Sequence, residues 1–328
     1  MIHSPRCAGW FAPETKESKI KNTTLTGTAA ALLALALGAT AQSPAPTSAS
    51  TAAPSTAPAR PQIATTKVEG TEGVYIFRNG GHQAMFIVTS EGVIATDPIA
   101  YGRPSGGQDY LNEIRKVTDK PIKYLIYSHH HFDHVAGGKA FKDAGATVIA
   151  HHLARTRLNM IADPHTVLPD EAVSDAGRSI TLGGTTLELT YHGLNHSDST
   201  LVMRLPKEKI IFVVDTLPVG SVPGRGMIDY HPMEAQGFMK AMLAMDWERL
   251  IPGHPGPGDR LGTKQDVRDQ MQFQQDASDT MKILARDGKC WDVAEKEFAL
   301  PKYEKWPGYA NNLQFVARRY CAWWGRGT

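Results

Sequence analysis

"YSHHHFDHVAGG", residues 127–138, sets four histidines and an aspartate within six positions, directly after the apolar run "IKYLI". That run has the composition of a buried strand. At the end of an extended strand, side chains two residues apart project to the same side, so His129 and His131 reach toward one point while His130 faces away. Asp133 and His134 follow where "VAGGKAFKDAG" predicts a helix, and the change of direction aims them at a neighbouring point. The stretch supplies half of two adjacent metal sites.

Zinc takes about four ligands and a catalytic site keeps one position for water, so the cluster needs donors from elsewhere. Three candidates sit at the ends of strand-like runs or on the loops after them: His196 in "YHGLNHSDST", Asp215 in "IIFVVDT" and His254 in "IPGHPG". The assignment is His129, His131 and His196 on a first cation, Asp133, His134 and His254 on a second, and Asp215 bridging the two.

The rest of the chain supplies a frame for this site. "GVYIFRNG" and "QAMFIVTSEGVIATDP" read as strands broken at Asn79-Gly80-Gly81 and Glu91-Gly92. Tyr110, Ile114 and Val117 recur at helical spacing before Pro121, and "ATVIAHH" is a further strand. The second half repeats the order: "SITLGGTTLELTYHG" and "TLVMRLPKEKIIFVVDT" each give two strands, and Phe238, Met242 and Met245 mark the inward stripe of a helix. A polar helix at about 264–287 and a tail with Trp306, Trp323 and Trp324 follow, the tail expected to pack against the domain. Two halves of strands followed by helices predict an α/β fold, an αββα sandwich of two mixed sheets flanked by helices.

The first sixty residues read differently. Lys16, Lys19 and Lys21 lead into "LTGTAAALLALALGATAQ", a short apolar stretch ending in the A-x-A site Ala39-Thr40-Ala41. That is a secretory signal, residues 1–41, too short for a span of ~20 apolar residues. The alternative is an uncleaved anchor, and Glu14 and Glu17 among the lysines leave open a start codon downstream of Met1. Residues 42–64, rich in Pro, Ala, Ser and Thr, are expected to be a solvated linker, with the folded domain at 65–328 and a C-terminal helical extension from about 262. The expected location is periplasmic or secreted, with no membrane attachment after cleavage. There Cys290 and Cys321 either pair or stay as two thiols. With 35 basic and 33 acidic residues and no basic run, the chain has no electrostatic footprint for nucleic acid, which favours a small-molecule substrate.

His129, His131, Asp133 and His134 form the H-x-H-x-D-H signature, and with His196, Asp215 and His254 in order the chain resembles the metallo-β-lactamase superfamily over about residues 65–260. The resemblance implies two zinc ions between the sheets, although a His/Asp set also accommodates iron or manganese. It implies hydrolysis by a hydroxide shared between the cations, with Asp133 or Asp215 orienting it and passing on its proton. Asp97, ending "VIATD", matches the acidic residue that supports the metal-binding loop. Resembling β-lactamases carry cysteine or serine where Asp215 stands, whereas lactonases and thioesterases carry aspartate. Export disfavours a glutathione thioester, so an ester or lactone leads and a β-lactam is the alternative. A reading of another class is a catalytically inactive metal-binding or docking module. Flavo-diiron chemistry would need acidic replacements in the motif and a flavin domain, neither of which the sequence offers.

The loop "LPVGSVPGRGMIDYHP" has the Gly/Pro content of a substrate-bordering segment, with Arg225 and Tyr230 as contacts. His192 and His165 are expected in loops bordering the cleft, and His151 and His152 at a strand end, all beside the ligands or on the surface. His82 and His231 receive no role.

Overall fold

A computed structural model of the chain describes residues 62–328. The signal region and most of the linker lie outside the described residues. Strands β1 (Ile63–Lys67), β2 (Val74–Asn79), β3 (His82–Val88) and β4 (Val93–Thr96) run as an antiparallel meander. Helix α1 (Gly106–Val117) then crosses to β5 (Ile122–Ile126), which pairs parallel with β4. Helices α2 (Phe132–Val135) and α3 (Gly138–Asp143) lead to β6 (Thr147–His151), and α4 (His152–Ile161) to β7 (Glu171–Val173), both strands parallel to their predecessors. These seven strands form one sheet in chain order.

The second sheet is built from β8 (Arg178–Leu182), β9 (Thr185–Tyr191), β10 (Leu201–Leu205) and β11 (Ile210–Val213), all antiparallel. After α5 (Pro232–Ala244), β12 (Arg249–Pro252) joins β11 in parallel. Helices α6 (Lys264–Arg286), α7 (Asp292–Glu297) and α8 (Tyr309–Arg326) complete the chain. Both sheets are mixed, as the expected sandwich requires. Strand β1 starts at Ile63, two residues before the expected boundary at Thr65.

Period-two alternation sorts the core into layers. Met85 and Ile87 of β3 meet Leu201 and Met203 of β10 and Ile210 and Phe212 of β11 between the sheets. The intervening residues face outward: Ala84 and Phe86 pack under α1 and α3, and Ile211 and Val213 under Phe238, Met239 and Met242 of α5. A separate cluster joins α6, α7 and α8 through Phe273, Met281, Ala294, Val316 and Tyr320. The aromatic tail packs on the domain as expected, Trp306 stacking on Phe273 at 5.6 Å and the Trp324 indole donating to Ser278 at 3.1 Å. Cys290 and Cys321 are paired, with Cα atoms 5.4 Å apart, within the range a disulfide needs.

The step from β5 into α3 depends on close approach. Gly137 sits at φ 93°, and a Cβ there would meet that of Ala100 at 2.5 Å. A Cβ on Gly138 would collide with the hydroxyl of buried Tyr127, which donates to the Val167 carbonyl at 3.2 Å. Gly138→Ala is therefore expected to cost about 1–3 kcal/mol by overpacking. An unchanged denaturation midpoint would show that Tyr127 can yield.

Candidate metal centre

The parallel strands β4, β5, β11 and β12 all end beside one cleft, so the residues just past them are brought together. Asp97 follows β4, His129, His131, Asp133 and His134 follow β5, Asp215 follows β11, and His254 follows β12. His196 comes from the loop between β9 and β10. The seven expected donors fall into two groups, His129, His131, His196 and Asp215 in one, Asp133, His134 and His254 in the other, where His82 joins them. Donor atoms within each group lie within 4.8 Å of one another.

Asp215 stands between the groups. Its Oδ1 is 3.0 Å from His254 Nε2, and its Oδ2 is 3.1 Å from His134 Nε2, 3.6 Å from His196 Nε2 and 3.8 Å from His129 Nε2. It occupies left-handed backbone, φ 57°, which a non-glycine residue adopts only when its surroundings impose it.

Each histidine has one nitrogen facing an outer polar group and the other turned inward. Nδ1 of His129 meets the Ser128 hydroxyl at 2.9 Å, and Nδ1 of His254 donates to the Gly81 carbonyl at 2.7 Å. Nδ1 of His196 lies 3.2 Å from the Gly226 carbonyl and 3.1 Å from Asp229, whose other oxygen is 3.5 Å from Nε2 of His131. Nδ1 of His134 faces Asp97 at 3.5 Å, and Asp97 in turn accepts from the Ser128 amide at 2.7 Å. Anchors of this kind fix the tautomer and aim of a metal-binding imidazole.

The inward atoms fit a cation better than they fit each other. Nε2 of His129, Nε2 of His134 and Oδ1 of Asp215 are buried without a hydrogen-bond partner among the described residues. Orphaned buried polar atoms are costly, and cations held in the two groups would satisfy all three. Burial, together with the neighbouring histidines, holds His129 well below its ordinary pKa, as a neutral nitrogen donor requires. Burial would lift the Asp215 carboxyl, but His134 and His254 outweigh it and hold its pKa well below the carboxylate range. Asp215 is thus held as a carboxylate among imidazole nitrogens, a donor set suited to a cation.

The structure alters several readings made from sequence. His82, for which no role is expected from its place in the chain, lies within the second group, its Nε2 3.2 Å from Asp133 Oδ2. Asp229, passed over between Arg225 and Tyr230, is the loop residue that touches two of the histidines. Tyr230 lines the base of the cleft but is mostly buried, its hydroxyl donating to the Thr216 carbonyl at 3.0 Å and accepting from Gln274 at 2.6 Å. His192 pairs with Thr190 at 3.0 Å and packs edge-on to Phe238, outside the cleft lining. Exposed His165 pairs with Asp163. His151 and His152 meet at one oxygen of Asp175, at 3.1 and 2.7 Å, away from the centre. Arg225 is exposed and lines the cleft.

A two-sheet sandwich that gathers paired His/Asp donor sets where its parallel strands end is an architecture suited to holding two metal ions. Residues 102–254 match the metallo-beta-lactamase superfamily, and the chain carries a domain of that superfamily. The alpha subunit of 2,4-dinitroanisole O-demethylase from Nocardioides sp. (strain JS1661) is 24% identical over 199 residues, 59% of this chain and 58% of its own length. Type 2 metallo-beta-lactamase of Elizabethkingia meningoseptica is 27% identical over 171 residues, 51% of this chain and 61% of its own. The chain thus spans about three fifths of the length of these curated relatives. The solved metallo-beta-lactamase from Pontibacter korlensis shares the fold, with a TM-score of 0.56 at 18% identity over 65% of this chain and 99% of that one.

Proposed function

We propose that the protein is an exported hydrolase that cleaves a small-molecule ester or lactone, with two zinc ions held by His129, His131 and His196 and by Asp133, His134 and His254, and with Asp215 shared between them. The observation that carries this reading is that the one carboxylate of Asp215 reaches both donor sets, His254 and His134 of the second at 3.0 and 3.1 Å and His196 and His129 of the first at 3.6 and 3.8 Å. Zinc ions bound there would supply Lewis acidity, making water acidic enough to yield a nucleophile near neutral pH and offsetting charge on the attacked group. Of the two carboxylates suited to take a proton from that water, Asp133 has a side chain 40% exposed and Asp215 only 11%. Asp133 can therefore pass the proton to solvent, while Asp215 keeps the geometry.

The cleft over this centre has a volume of about 1240 Å³, beyond the ~300–1,000 Å³ of common ligand pockets. Tyr101, Phe132, Leu217 and Phe315 make apolar wall, α8 adds Asn312, and Arg225 is a cation able to meet a polarised acyl oxygen. An uncharged, partly apolar acyl compound suits such walls. Export is supported by the signal-like segment at 1–41 and by the Cys290–Cys321 pair, since disulfides persist in oxidising compartments.

A β-lactam is the second reading, favoured by the 27% identical relative named a metallo-beta-lactamase. Elemental analysis combined with turnover of a p-nitrophenyl ester, an aliphatic lactone, a chromogenic cephalosporin and 2,4-dinitroanisole separates the possibilities. The expected result is two zinc equivalents per chain and chelator-sensitive turnover of the ester or lactone. Turnover of the cephalosporin alone would move the assignment to the β-lactam. Two bound metals with no turnover would favour the docking module, and fewer than two would overturn the paired-cation reading.

A further inference from the structure

We propose that His82 is a positioning residue for Asp133 rather than a metal ligand, and that Arg103 sets the tautomer this task needs. The inference rests on the two-cation reading above. By distance alone His82 groups with Asp133, His134 and His254, and a fourth ligand would be the simple reading. Its other ring nitrogen argues otherwise.

Nη2 of Arg103 lies 3.1 Å from His82 Nδ1, while Nη1 of the same guanidinium donates to the Ile99 carbonyl at 3.0 Å. A guanidinium carries five N–H donors and no acceptor, so this contact requires a lone pair on His82 Nδ1. The single proton of a neutral imidazole then sits on Nε2, the atom 3.2 Å from Asp133 Oδ2. A carboxylate only accepts, and the bond runs from His82 to Asp133. Coordination through Nε2 would instead put a proton on Nδ1, facing the donors of Arg103, or would demand an imidazolate. The Ile99 carbonyl, Arg103, His82 and Asp133 thus form one directed chain of hydrogen bonds.

The same segment aims a second donor. The Gly81 carbonyl accepts from His254 Nδ1 at 2.7 Å, and Gln83 is tied to the β12 end through its amide on the Gly253 carbonyl, at 2.8 Å, and its side chain on that of Pro252, at 2.7 Å. The turn from β2 into β3 therefore clamps both Asp133 and His254. One turn, far ahead of the histidine motif in the chain, governs the aim of the second donor set.

The tautomer is read directly, in the full chain with and without added zinc, from long-range proton–nitrogen correlation spectra of the imidazoles. The expected signal for His82 is a bare Nδ1 and a protonated Nε2 in both states, with that preference lost in Arg103→Ala. Zinc affinity of the second site, measured by competition with a chelating dye, gives the second readout. His82→Ala and Arg103→Ala are expected to weaken it by similar factors, about 10–100-fold, the range for partners that orient a ligand. The double variant should be no worse than His82→Ala alone, because both act through one chain of bonds. His82→Gln, which keeps an N–H donor of similar reach, is expected to restore affinity to within about fivefold of the unmodified protein.

His82→Gln as weak as His82→Ala, or loss of the Nε2 proton on adding zinc, would make His82 a ligand and overturn the proposal. Unaltered affinity and tautomer in Arg103→Ala would overturn the part given to Arg103. Failure of the two-cation reading is visible separately, as fewer than two zinc equivalents in the unmodified protein, while the zinc-free spectra still report the tautomer.

Discussion

Asp215→Asn is expected to abolish the tight binding of both cations and to lower turnover by about a thousandfold or more, the upper end of what losing one charge-stabilising group costs. Asparagine keeps the size of the side chain and tolerates the left-handed backbone at φ 57°, so the fold is not at issue. What changes is charge: one anionic oxygen becomes a neutral carbonyl, and the other becomes an amide nitrogen whose hydrogens repel a cation. Because Oδ1 faces His254 while Oδ2 faces both His134 and His196, the amide disturbs the second site whichever way it turns, and the first loses at least the full charge of its shared oxygen. The buried inward nitrogens of His129 and His134 would then lack both a cation and a full anionic neighbour. Metal content by elemental analysis after dialysis, together with kcat on the best substrate, checks the prediction. Two retained equivalents and turnover within tenfold of the unmodified protein would show that Asp215 does not bridge.

The legibility of this centre in the sequence follows from how each residue reaches it. His129, His131, Asp133 and His134 are neighbours, and their aims follow from strand and helix periodicity. His196, Asp215 and His254 each stand just past an apolar run, where alternating burial marks a strand and the strand end marks the cleft. His82 and Asp229 carry no such mark. His82 opens a strand instead of ending one, and it reaches the site because β3 runs antiparallel to β4, which puts its start beside the end of β4. Asp229 lies among glycines and prolines, where no period predicts direction. Tyr230 suggested a contact because of its chemistry, but its hydroxyl is engaged by Gln274 of α6, remote in the chain. The same limit hid α4, in which only Ala154 and Leu158 are buried, too few to show a stripe. It also hid the part of α8 that walls the cleft, because a polar helix face turned to a cavity looks like one turned to water.

His196→Ala and His254→Ala are expected to remove different cations, each lowering kcat by at least about a hundredfold, since loss of an orienting neighbour alone can reach that size. The two side chains sit on opposite sides of Asp215 and share no donor atom. His196 is buried, with its inward nitrogen 2.8 Å from Nδ1 of His131, so its loss opens a hole in the first group and frees Asp229 from one of its two imidazole partners. His254 is 43% exposed and held by the Gly81 carbonyl and Asp215, so water can fill its place. The alanine at 196 should therefore cost stability as well as metal, whereas the alanine at 254 should cost metal with little change in folding. Cobalt substitution distinguishes the sites, because each variant should lose a different part of the visible absorption given by the doubly loaded protein. If both variants lost the same band, or if either kept two equivalents and full kcat, the division of donors into two sets would be wrong.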